Sequence, residues 1–164
     1  MRLLNIRIEL GYAYAQDIKA LFAEYTKMLV DNDKAFADYL KLQKYDDELE
    51  HLETKYGIPQ GRLFILFIDD EVAGCVALKP RDESSCELKR LYIRPQFRGH
   101  DLGALLAQKV IDSAREIGYE RIILDTLPFL KTAIKLYQRL GFEVTNEYTY
   151  SPMDTSIYMK MDLK

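Results

Sequence analysis

Residues 91–106, Leu-Tyr-Ile-Arg-Pro-Gln-Phe-Arg-Gly-His-Asp-Leu-Gly-Ala-Leu-Leu, constrain this chain more than any other stretch. An extended, partly apolar run stops at Pro95 and passes through a loop bearing Arg98 and Gly99. It then enters a helix with apolar residues at Leu102, Leu105, Leu106, Val110 and Ile117. A strand, a basic glycine-containing turn and a helix N-terminus together make a device for holding phosphate. The first-turn backbone N–H groups have no intrahelical partners, and the positive end of the helix dipole points to the same place. Arg98 adds a full charge with planar donors suited to phosphate oxygens. Gly99 and Gly103 let backbone and helix approach closely. No Gly-Lys-Ser/Thr follows, so this is not a P-loop. With Gly99 and Gly103 four apart and no third glycine, it is not a dinucleotide fingerprint either.

Composition narrows the class. The 164 residues suffice for one compact domain, 1–164, and are too few for two ordinary ones. A hydrophobic content of 48% with 30% charged residues is that of a soluble globular protein. A formal charge of −3 argues against a dedicated nucleic-acid binder. No apolar run approaches the ~20 residues needed to span a bilayer, and the N-terminal apolar region is too short for a signal peptide. A cytoplasmic protein with no membrane partner is expected. Cys75 and Cys86 have neither metal nor redox spacing. They could face each other across a hairpin, but in a reducing compartment two small buried thiols are the simpler reading. His51 and His100 are isolated, and no metal site is expected.

Periodicity predicts a strand at 4–10, an amphipathic helix at 15–30, and an acidic stretch 31–57 in which Asp46 caps a helix that stops at Gly57. Strands follow at 62–68, 72–79 and 86–94, then the helix 102–117 ending at Gly118. A short buried strand at 121–125 precedes a helix at 129–140, with Pro128 in its first turn, and strands at 142–145 and 156–163 close the chain. Early antiparallel strands and a late β-α-β crossover predict an α/β chain of the α+β kind: a mixed, mostly antiparallel central sheet with helices on both faces.

The run Arg98-Gly99-His100-Asp101-Leu102-Gly103 resembles the acyl-CoA diphosphate loop of the GNAT superfamily of N-acyltransferases, with Asp101 in place of the usual middle glycine. A carboxylate there would also serve as a helix N-cap. Ala133-Ile134-Lys135-Leu136-Tyr137-Gln138-Arg139-Leu140-Gly141-Phe142 is similar to the same family's late helix, which ends Tyr-x-x-x-Gly-Phe. The element order also agrees with the GNAT fold.

The resemblance implies transfer of an acetyl group from acetyl-CoA directly to an amine, in a sheet that splays beside the third long strand. Pantetheine would pair there with the backbone of Leu91, Tyr92 and Ile93 as an added strand, and the diphosphate would lie against Gln96, Arg98, Gly99, His100, Asp101, Leu102, Gly103 and Ala104. Tyr137 occupies the family's general-acid position; by the residues alone it is also a core tyrosine on the stripe of Leu130, Ala133 and Ile134. Leu130 replaces an asparagine that many members carry seven residues earlier. Glu87 is the candidate base; strand alternation puts it on one face with Leu91 and Ile93, and the competing reading is a surface acid paired with Lys89 or Arg90. Arg94 and His100 are equally readable as solvated rim residues.

For the acceptor, the acids Asp31, Asp33, Asp38, Asp46, Asp47, Glu48, Glu50 and Glu53 could form a lid concentrating cationic amines or simply a solvated helix face. Tyr148, Tyr150 and Tyr158 could add an aromatic wall. The expected function is acetylation of a small-molecule primary amine. The alternatives are a protein lysine or N-terminal acetyltransferase, or a silent acyl-CoA-binding module. A homodimer is left open.

Overall fold

The computed structural model describes residues 3–42, 44–146 and 155–163. The chain opens with β1 (Ile6–Leu10), a 3-10 turn at Gly11–Tyr14 and the long helix α1 (Ala15–Asn32), followed by three short helices, α2 (Phe36–Leu42), α3 (Tyr45–Glu50) and α4 (Leu52–Tyr56). Then come β2 (Arg62–Ile68), β3 (Glu71–Pro80), β4 (Ser85–Ile93), a 3-10 turn at Pro95–Phe97 and α5 (Leu102–Ile117). β5 (Arg121–Thr126), α6 (Lys131–Leu140), β6 (Glu143–Thr145) and β7 (Ile157–Asp162) complete it. The strands form one sheet in the order β1-β2-β3-β4-β5-β7-β6, antiparallel except for the β4–β5 pair. None of the helices is long and apolar enough among the described residues to cross a membrane.

Each face of the sheet has its own core. Leu66, Val76, Leu78, Cys86 and Leu88 pack against Leu106, Val110 and Ile111 of α5. Leu63, Ile65, Phe67, Cys75 and Ala77 pack against Ile18, Leu21 and Phe22 of α1 and Tyr56 of α4. These alternating strand residues, each wholly or nearly wholly buried, explain why β2 and β3 read as continuous apolar runs. The cysteines therefore do not face each other: Cys75 pairs in register with Tyr92 and Cys86 with Pro80, on opposite faces of the sheet.

The α5 boundaries match the sequence expectation, and Gly118 ends it in the left-handed region. Three expectations fail. Residues 31–57 make three helices rather than one capped by Asp46: α3 starts after Lys44, which lies in the left-handed region, and His51, at φ −135°, separates α3 from α4. Pro128 precedes α6 by a turn, with Leu130 at the N-cap. Asp101 holds the N-cap position of α5 but caps nothing. Its own φ is +58°, and its carboxylate turns instead to Arg139 Nη2 at 2.8 Å.

Two irregularities shape the centre of the sheet. Between the pairs Cys75↔Tyr92 and Ala77↔Lys89, the single residue Val76 is opposed by Arg90 and Leu91, a β-bulge with Arg90 at φ +61°. An arginine held in that conformation is strained. What holds it is Glu48 on α3, whose Oε2 accepts from Arg90 Nε and whose Oε1 accepts from Nη2, both at 2.9 Å. The second irregularity is that β4 and β5 pair only through Ser85↔Arg121, Cys86↔Ile122 and Glu87↔Ile123. Beyond that point the two strands part.

Candidate active site

A cavity of about 830 Å³ fills the space where β4 and β5 part. It runs from the N-terminus of α5, past Leu91–Ile93, to a chamber under α1 and α2 lined by Tyr25, Met28, Phe36, Tyr39, Leu127 and Phe129.

At the first end, Arg98, Gly99, Asp101, Leu102, Gly103 and Ala104 lie on the wall, whereas Gln96 and His100 are not among its lining residues. Because Asp101 does not cap, no side chain occupies the first-turn N–H groups of α5, and they are left for an anion. Gly99 has φ +93° with open space where a side chain would be, so its need is conformational. At Gly103 the need is spatial: a Cβ would meet Leu136 Cδ2 of α6 at 3.3 Å. Arg98 donates from Nε to the Ile93 carbonyl at 3.0 Å, which braces the loop against β4. Lys131, Lys135 and Arg139 of α6 complete a basic rim. Arg94 is a structural arginine, forked onto Glu24 of α1 with Nη2 at 2.9 Å and reaching the Val72 carbonyl with Nη1.

Along β4, the Arg94 N–H points to Ala73 of β3 at 2.8 Å. By alternation, the backbone groups of Tyr92 also face β3, and those of Leu91 and Ile93 face the opening. The expected three-residue edge is therefore carried by Leu91 and Ile93. Tyr92 contributes its ring to the α1 side, 5.8 Å from that of Tyr25.

The bulge at Arg90 also reverses side-chain parity. Leu91 and Ile93 pack with the α5 core, while Tyr92 belongs to the α1 core. Glu87 is thus not on their face, contrary to the simple alternation of an unbroken strand. It is buried, absent from the cavity wall, and set among Lys79, Arg81 and Lys89 at 3.8, 3.9 and 3.9 Å.

Tyr137 lines the cavity from α6, edge-on to Phe142 with ring centroids 5.6 Å apart. Its hydroxyl has no hydrogen-bond partner among the described residues, and burial pushes its pKa well above that of an ordinary tyrosine. It therefore stays protonated at neutral pH. Leu130 lines the wall at the α6 N-cap, so no polar side chain comes from that position.

Among the cavity residues that reading the sequence missed are two charged ones on the diverging strands. Asp125 of β5 lies on the wall and accepts the Tyr39 hydroxyl at 2.5 Å. Lys89 of β4 lies opposite, its pKa pushed down to about 8, chiefly by burial and then by the Arg90 charge. The helices over the chamber present Met28, Asn32 and Phe36, not acids. Of the acidic run, Glu48 is buried on Arg90 and Lys55, and Asp31, Asp46, Asp47 and Glu53 are exposed. Tyr148 and Tyr150 lie outside the described residues, and Tyr158 pairs in register with Asp125.

Comparison with known proteins identifies the family and the fold. The family described as acetyltransferase (GNAT) matches residues 19–142. An uncharacterised N-acetyltransferase of Schizosaccharomyces pombe is 37% identical over 149 residues, covering 90% of this chain and 87% of its own. The crystal structure of an acetyltransferase from Streptococcus agalactiae shares the fold, with a TM-score of 0.74 at 21% identity over 99% of this chain and 100% of that one. A nourseothricin acetyltransferase structure aligns with a TM-score of 0.56 at 25% identity, over 65% of this chain and 67% of its own. The chain belongs to the acetyltransferase (GNAT) family, and is by that membership an acetyl-CoA-dependent N-acetyltransferase.

Proposed function

We propose that this enzyme transfers an acetyl group directly from acetyl-CoA to a primary amine of a small molecule, within the cavity between β4 and β5. The observation that carries the reading is the continuity of that cavity. One space joins the uncapped N-terminus of α5 to an aromatic chamber walled on one side by α1 and α2. A chamber of that kind suits a discrete molecule better than a lysine presented on a folded protein. A relative whose name gives nourseothricin as its substrate supports the same class of acceptor.

The residues fit the cosubstrate. The first-turn N–H groups of α5, with Arg98 and the α6 cations, hold the diphosphate, and the outward-facing backbone of Leu91 and Ile93 pairs with the pantetheine amides. Acetyl-CoA supplies the thioester. Asp125 takes the proton from the amine nitrogen as that nitrogen bonds to the acyl carbon, and Tyr39 holds the carboxylate in place by hydrogen bond. Tyr137 gives its proton to the sulfur as the carbon–sulfur bond breaks. The unpartnered, protonated hydroxyl is what makes it available. Asp125 replaces Glu87 in the base role because it stands on the cavity wall and Glu87 does not. The thiols support direct transfer without a cysteine acyl-enzyme: neither cysteine lines the cavity, and burial pushes both pKa values up, that of Cys86 to about 12. The test is a screen of amines and peptides with acetyl-CoA, following thiol release. Small amines as the better acceptors are expected; a peptide lysine or N-terminus as the only acceptor would overturn the reading.

A further inference from the structure

Glu87↔Ile123 is the last pair joining β4 to β5. Lys89 and Asp125 each lie two residues beyond it, so their side chains stand on the same face, across the mouth where the strands separate. Both line the cavity. They make no ion pair with each other. Asp125 is engaged by the Tyr39 hydroxyl. The Lys89 side chain is only 7% exposed, yet its ammonium makes no hydrogen bond to any described residue. Its nearest carboxylate oxygen, Glu87 Oε2, is 3.9 Å away, and that group is shared with Lys79 and Arg81. An ammonium offers three donors, and one set on a cavity wall without hydrogen bonds to the described residues has them available for an anionic group of a ligand. The mouth thus carries a nearly buried cation on one strand and an anion on the other, both on the cavity wall, with the apolar residues Met28, Phe36, Leu127 and Phe129 lining the same cavity.

We infer that the acceptor is an α-amino acid with an apolar or aromatic side chain, its carboxylate held by the Lys89 ammonium and its amino group by Asp125. The two charges of a zwitterion match the two charges on the diverging strands, and the chamber takes the side chain; the bound ammonium gives one proton to solvent, and Asp125 takes the second as the neutral nitrogen attacks. An amine lacking the carboxylate would forgo the charge-assisted hydrogen bond to Lys89, which is the kind of difference by which a polar site discriminates. The inference rests on the amine-acetylating reading above and names the acceptor class within it.

The experiment compares each of the common α-amino acids with its decarboxylated amine, for example L-phenylalanine with 2-phenylethylamine and L-leucine with 3-methylbutylamine, by thiol release from acetyl-CoA. In the wild type, kcat/KM should favour the amino acid by roughly ten- to a hundredfold for at least one apolar pair, the discrimination expected of a hydrogen bond to a charged group. Lys89→Met should collapse that preference, mainly by raising KM for the amino acid, and Lys89→Arg should keep much of it. Calorimetry with CoA alone, run on each variant, shows that the protein is folded and its diphosphate site intact. Decarboxylated amines accepted as well as or better than every amino acid would overturn the inference while leaving amine acetylation standing. So would a Lys89→Met variant that loses both members of a pair equally. Thiol release with neither class would instead mean that the amine-acetylating reading has failed.

Discussion

Glu48→Gln should be among the most damaging single changes outside the cavity. The side chain is wholly buried and holds two cations: Arg90 through both oxygens at 2.9 Å and Lys55 Nζ at 2.7 Å. Glutamine keeps the shape and removes the charge, so that buried Arg90 and half-buried Lys55 both lose this carboxylate. Breaking one side of a buried pair costs about 3–5 kcal/mol. For a chain of this length each kcal/mol moves the melting temperature by about 2–4 °C, so a fall of roughly 6–20 °C is expected in scanning calorimetry at pH 7. The pH dependence gives a second signature. Arg90 first, then Lys55, hold the Glu48 pKa down to about 2 against the cost of burial. A folded-state pKa below the unfolded one gives stability that is complete above the ordinary carboxylate range and is lost as pH falls through that range toward about 2. Lys55 offsets part of this gain, because burial holds its own pKa down despite the pair. The wild type should therefore lose stability between about pH 4.5 and 2 more steeply than Glu48→Gln. CoA affinity should fall in the variant as well, because Glu48 pins the bulge that turns Leu91 and Ile93 to the opening. The exposed Asp46→Asn is the control, expected to stay within about 0.5 kcal/mol of wild type. A melting shift below about 3 °C for Glu48→Gln would refute the claim that this pair holds the bulge.

Gly103→Val should weaken CoA binding with the fold kept, since a Cβ there already meets Leu136 Cδ2 at 3.3 Å and the branch crowds the contact between α5 and α6; unchanged calorimetric affinity in a folded variant would contradict it. Gly99→Ala meets no atom, so only the left-handed φ of +93° is penalised, at about 1–2 kcal/mol, read as a modest loss of stability or CoA affinity. Asp125→Asn should lower turnover by roughly 10²–10⁴-fold, while Glu87→Gln should leave the acidic limb of the pH–rate profile in place. The reverse result would return the base role to Glu87.

The legible parts of the sequence were those fixed by local chemistry. The phosphate-holding turn, α5 from Leu102 to Gly118 and the antiparallel β2–β3–β4 run all follow from glycine positions and periodicity within one segment. What was not legible depends on contacts far apart in sequence. The bulge exists because Glu48 reaches Arg90 across 42 positions, and without it the face of Glu87 is misread. Asp101 looked like a cap until Arg139 drew its carboxylate away. Asp125 and Lys89 carried no motif of their own. Lys89 read as a surface partner for Glu87, and Asp125 as the end of a buried strand; only the parting of β4 from β5 brings both to the cavity. The acidic run hid α2, whose Phe36 and Tyr39 cover the acceptor end.

The most direct test of the account is Tyr137→Phe, assayed on an accepted amine with chemistry limiting and with CoA affinity measured alongside. The ring still packs on Phe142, so CoA binding should hold, while loss of the proton donor should lower turnover by roughly 10²–10⁴-fold. Turnover within a factor of about two of wild type would show that Tyr137 only packs, and that this cavity does not perform the transfer as described.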